Sequence, residues 1–145
     1  MNDLEVNQMT TGELKSSIKD RRKIKLDKLK ERYKIHENLI IARSARKTIR
    51  YIEKNIVNFP KEYSVLKSRI INTLYDMLEC IYRANVMQDI EDKKEIVVCI
   101  EMLNFYLECA FKEKLISYKK FESYVNHLIE IDSMTRSWFK YETSK

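Results

Sequence analysis

One glycine and one proline in 145 residues leave this chain almost without the residues that build tight turns and hairpins. Gly12 and Pro60 cannot punctuate a series of short strands, and the positions between them are filled with Lys, Glu, Leu, Arg, Ile and Met, which favour helix. A fold of strands and hairpins is excluded. The same scarcity rules out a phosphate-cradling glycine loop and a nucleophile elbow, both of which need glycines at fixed offsets beside a strand.

Histidine is nearly as rare. His36 and His127 cannot supply the two Glu-x-x-His motifs of a di-iron bundle, and His127 with Glu130 has the reversed spacing. The Arg and His pair of a helical ribonuclease is missing too, since Arg32 and His36 stand closer than that signature requires and His127 has no arginine at the right distance upstream. Cys80, Cys99 and Cys109 are an odd set without CxxC spacing inside apolar segments, which reads as small hydrophobes in a reducing compartment. No enzyme, no metal and no cofactor is expected.

Long apolar runs are also absent. Leu39 to Ala42 and Ile96 to Ile100 are the longest, far short of the roughly 18 residues that cross a bilayer. The opening MNDLEVNQMTTGELK carries no basic stretch followed by an apolar one, so no leader is expected and a cytoplasmic protein is.

What the chain does have is positive charge, unevenly placed. Residues 1–60 hold 15 Lys/Arg against 8 Asp/Glu, whereas residues 61–145 hold 13 against 14. All the basic excess of a chain with net charge +6 therefore lies in its first part. Such a one-sided field suits nucleic-acid phosphates, an anionic surface or an acidic protein.

The periodicity is helical throughout. Residues 1–13 carry no pattern and read as a flexible lead. From Leu14 a thin stripe of Leu14, Ile18, Leu26, Leu29 and Tyr33 is interrupted by Arg22 and surrounded by lysines and arginines. A stronger seam, Ile41, Ala45, Thr48, Ile49, Ile52 and Ile56, marks a helix over 39–57, and Pro60 ends it. Leu66, Ile70, Leu74, Met77, Leu78, Ile81 and Asn85 mark the next, over 62–85. Ile96, Val97, Ile100, Leu103, Leu107, Ala110 and Phe111 mark a third over 92–114, with Asp89, Glu91 and Asp92 suited to its first turn. Ser117 is an N-cap flanked by the staple positions Ile116 and Phe121, opening a helix over 118–141 with Phe121, Tyr124, Val125, Leu128, Ile131, Thr135 and Trp138 inward.

The predicted architecture is all-α: residues 1–38 are a flexible lead and a basic helical arm, and residues 39–145 an antiparallel up-down four-helix bundle, because short links leave only the antiparallel neighbour in reach. Candidate phosphate contacts are Arg43, Arg46, Lys47, Arg50 and Lys54 on the first bundle helix. The arm adds Arg21, Arg22, Lys23, Lys25 and Lys28. Tyr33 and Tyr51 are candidates either for stacking on bases or for packing in the seams. A membrane-surface helix would need larger apolar residues than the arm's stripe offers.

From about Ala42 onward, four segments stand in an order that resembles one family. They are Phe59-Pro60-Lys61 after the basic helix, Leu78-Glu79-Cys80-Ile81-Tyr82-Arg83-Ala84-Asn85 before a polar loop, Lys112-Glu113-Lys114-Leu115-Ile116-Ser117, and Glu130-Ile131-Asp132-Ser133-Met134 with Trp138. Over roughly the last hundred residues the chain is similar to the accessory variability determinant (Avd) proteins of diversity-generating retroelements, which are four-helix bundles. The resemblance implies a non-enzymatic partner of a reverse transcriptase, assembled as a positively charged homo-oligomer, a pentamer, that binds template RNA or cDNA and supports mutagenic reverse transcription. A related bundle family, encoded in intervening sequences of ribosomal RNA, implies instead a structural interaction protein with incidental RNA affinity, but its Ile-Ala-Glu-Gly type of motif is missing. The first 40 residues fall outside the resemblance.

Overall fold

A computed structural model describes residues 11–32 and 39–143, with side chains described for 11–29 and 39–138. All regular structure among these residues is helical. The chain divides into two compact units, 1–38 and 39–145.

In the first unit, helix α1 spans Thr11–Arg32. It starts ahead of Leu14 and takes in Gly12 and Glu13, so the part expected as a lead is shortened; Glu13 complements the positive end of the helix. Residues 1–10 and Tyr33 lie outside the described residues. Leu14 and Ser17 are half-buried and every other described side chain of α1 is exposed. The expected stripe therefore buries little: Leu26 and Leu29 are exposed at 52% and 50%, and Ile24, off the stripe, at 54%. Charges on all sides leave this helix no broad apolar face to bury.

The second unit is a bundle of four helices: α2 (Ile40–Ile56), α3 (Ser64–Met87), α4 (Ile90–Lys112) and α5 (Tyr118–Thr143). The boundaries follow from the caps. Pro60 breaks the chain after α2, and a 3-10 turn at Lys61–Tyr63 leads into α3, which starts at Ser64 rather than Glu62. Gln88 closes α3 in the left-handed region at φ 53°, its N–H bonding the Ala84 carbonyl at 3.0 Å. Asp89 caps α4 by accepting from the Glu91 N–H at 3.0 Å, so that helix opens two residues before Asp92. Lys114, at φ 61°, and the Leu115 N–H, 2.9 Å from the Ala110 carbonyl, stop α4 in a Schellman turn. Ser117 caps α5 as expected, its Oγ accepting from the Lys120 N–H at 3.2 Å.

Each helix turns the middle of its predicted seam inward, while Leu78, Val97, Phe111, Phe121, Val125 and Trp138 are half-buried at the seam edges. Ile52, Leu74, Leu103 and Leu128, one from each helix, are wholly buried. Each such aliphatic side chain contributes about 1.5–3 kcal/mol on leaving water. Asn85, expected inward, is only half-buried, and Ala84 takes the core position beside it. Helix α2 packs against α3 and α5, and α4 packs against the same two, so α2 and α4 lie across the bundle from each other. One core residue is a cation: Lys93, 1% exposed, sits with its Nζ 4.3 Å from the centre of the Trp138 ring, where the ring face partly replaces water.

Candidate nucleic-acid interface

The candidate site is built by the same periodicity that builds the core. On α2 the residues Arg43, Lys47, Arg50 and Lys54 follow steps of four, three and four, which confines them to a sector of about 60° on the side away from the seam. All four are exposed. They extend over about 16 Å of helix axis, and Lys47, Arg50 and Lys54 enter no ion pair among the described residues. The only carboxylate of α2, Glu53, is turned off this ridge toward α3, where its Oε2 accepts a 2.8 Å hydrogen bond from the Tyr75 hydroxyl. That bond raises the Tyr75 pKa, with Arg50 close enough to oppose the rise. No carboxylate of α2 itself stands on the ridge.

Arg46 departs from the group. It is half-buried on the flank toward α3, donating from Nη1 to the Tyr82 hydroxyl at 2.7 Å. One residue of offset from Lys47 turns it by about 100°, and it helps join two helices as well as adding charge. The arm residues Arg21, Arg22, Lys23, Lys25 and Lys28 are all exposed. Arg21, Lys25 and Lys28 share one row of α1, while Arg22 and Lys23 point to other sides. These five do not form one face.

At the edge of the α2 ridge stands Tyr51, 37% exposed, one turn from both Lys47 and Lys54. Its ring stacks on His127 of α5, with centroids 5.2 Å apart and planes 25° from parallel, and meets the buried Tyr124 edge-on at 5.3 Å. The Tyr51 hydroxyl and the Ser123 Oγ are 3.2 Å apart, and His127 Nδ1 lies 2.7 Å from the Ser123 carbonyl, which can only accept. Both rings are therefore held by the same turn of α5. His127 reaches this edge only through tertiary packing of α5, so its pairing with Tyr51 has no signal in the sequence. Lys93 was missed, although it continues the Ile96 and Ile100 seam backward by one step of three.

Burial pushes the Cys99 thiol up to about 12, and Cys80, hydrogen-bonded to it, is raised as well, again mainly by burial. All three cysteines are free and half-buried rather than fully buried. Burial also pushes the Tyr124 hydroxyl up to about 12. Among the described residues no group of three or more His, Cys, Asp and Glu could hold a metal ion, and no helix is long and apolar enough to cross a membrane.

Across the bundle, the outer side of α4 carries Val98, Met102 and Phe105, exposed at 51%, 39% and 56%, at steps of four and three. Exposed Glu95, Glu101 and Glu108 flank them. The middle of this face is apolar where the α2 ridge is charged. Set against known proteins, the chain matches no family model and no curated protein.

Proposed function

We propose that this protein is a non-enzymatic, cytoplasmic accessory subunit of a retroelement reverse transcriptase that binds the polymerase and template RNA or cDNA and works as a homo-oligomer, a pentamer by its Avd resemblance. The observation that carries the nucleic-acid part is the α2 ridge, four exposed cations within one narrow sector with the nearby carboxylate turned away. Phosphates need no base-specific geometry, so such a ridge favours RNA and DNA alike, with strong salt dependence. Cysteines whose thiols are held protonated fit a chain without a covalent mechanism.

The same proposal includes an antiparallel up-down order of the four helices. Two cross-links between α2 and α3 support it: Arg46 meets Tyr82, and Glu53, farther along α2, meets Tyr75, farther back on α3. Between α4 and α5, Lys93 meets Trp138 while Phe111 stacks on Phe121, the same opposed progression.

The α4 stripe favours a second reading, a bundle of the intervening-sequence type that docks a protein partner and binds RNA incidentally. Affinity of the full chain for a 20-nucleotide RNA, before and after charge reversal of Arg43, Lys47, Arg50 and Lys54, tests the first reading. Loss of binding supports it, and unchanged affinity at low salt overturns it. Co-purification with a reverse transcriptase after nuclease treatment distinguishes protein contacts from an RNA bridge, and solution mass reads the oligomer.

A further inference from the structure

We infer that the Tyr51–His127 stack is a binding place for one unpaired nucleobase, which makes the α2 ridge selective for single-stranded over duplex nucleic acid; this rests on the ridge being a phosphate-binding face. Three observations converge on it. Tyr51 lies in the same helical row as Lys47 and Lys54, so an aromatic ring stands between two cations about 10 Å apart along the axis. A strand whose phosphates meet those two lysines places the intervening base over the aromatic edge.

The platform is rigid before any ligand arrives. Ser123 holds both rings, through its Oγ beside the Tyr51 hydroxyl and its carbonyl on His127 Nδ1, and Tyr124 supports Tyr51 from inside. Little side-chain ordering is left for binding to accomplish. Tyr51 also reaches solvent, 37% exposed as a residue, whereas Tyr124 beneath it is wholly buried. Every base has a π-face, so the contact adds affinity without reading sequence. A duplex presents its phosphates to the ridge but keeps its bases stacked inside, out of reach.

The test compares the full chain's affinity, by fluorescence anisotropy, for a mixed-sequence 12-nucleotide RNA, the same length of abasic ribose-phosphate strand, and the matching duplex. The wild type should bind the base-bearing strand about ten-fold more tightly than the abasic one, the effect of one stacked base. The double variant Tyr51→Leu, His127→Leu should lose that difference while keeping its affinity for the abasic strand, and Tyr51→Phe should retain it. A Tyr51→Trp variant, which keeps a large ring in place, should show its fluorescence quenched by the base-bearing strand and not by the abasic one. Equal wild-type affinity for base-bearing and abasic strands overturns the stacking inference and leaves the phosphate-binding ridge standing. Failure of all three ligands to bind at low salt overturns the ridge itself.

Discussion

Helices α2 and α4 use the same repeat on their outer sides and present different chemistry. On α2 the outward steps of three and four carry Arg43, Lys47, Arg50 and Lys54; on α4 they carry Val98, Met102 and Phe105 between glutamates. Inwardly the two helices are alike, each burying an aliphatic seam against α3 and α5. The fold is therefore indifferent to what the outer faces carry, and the difference between them is available for binding. A cation ridge held in water costs the bundle little, because its charges remain solvated.

That comparison is broken most forcefully from inside. Truncating Ile52 or Leu103 to alanine should cost about 2–5 kcal/mol, since each leaves a cavity in a shared core, and thermal unfolding should show it equally for the two helices. Reversing Arg43, Lys47, Arg50 and Lys54 should instead leave unfolding within about 0.5 kcal/mol of wild type while weakening RNA binding by roughly a hundred-fold or more at low salt. The triple change Val98→Ser, Met102→Ser, Phe105→Ser should do neither; its effect should appear only in solution mass or in capture of a protein partner.

A finer division concerns pH. Cys99 and Tyr124 hold their protons up to about 12 in the folded chain, above their ordinary 9.0 and 10.0. The unfolded chain releases those protons first, so the stability these two groups contribute is present below pH 9 and is lost as pH rises toward 12. Denaturant midpoints measured across that range should decline, and Cys99→Ala should flatten the decline. The raised Cys99 thiol also predicts slower alkylation at pH 8 than that of an unfolded thiol. The smallest effect is at the α2–α3 seam, where Tyr82→Phe removes the Arg46 hydrogen bond and should cost about 1 kcal/mol in thermal unfolding.

The helices were legible because seams such as Ile41, Ala45, Thr48, Ile49, Ile52 and Ile56 have only one period that accommodates them, and because Pro60 and Ser117 act locally. The start of α4 was misplaced by two residues because Asp89 could be read as a loop acid as easily as a cap. On α1 the stripe was legible, but that it would stay exposed was not, since burial depends on a partner surface. The cation ridge could be read from spacing alone, whereas the place of Arg46 against Tyr82 and the meeting of Tyr51 with His127 depend on which helices become neighbours.

The α2 ridge is tested most directly by the salt dependence of RNA binding. Plotting log affinity against log salt for the wild-type chain and for the four-site charge reversal at Arg43, Lys47, Arg50 and Lys54 should show the slope shallower by about 3 in the variant, the counterions released by four phosphate contacts. Parallel lines at equal affinity would contradict the assignment of this face to nucleic acid.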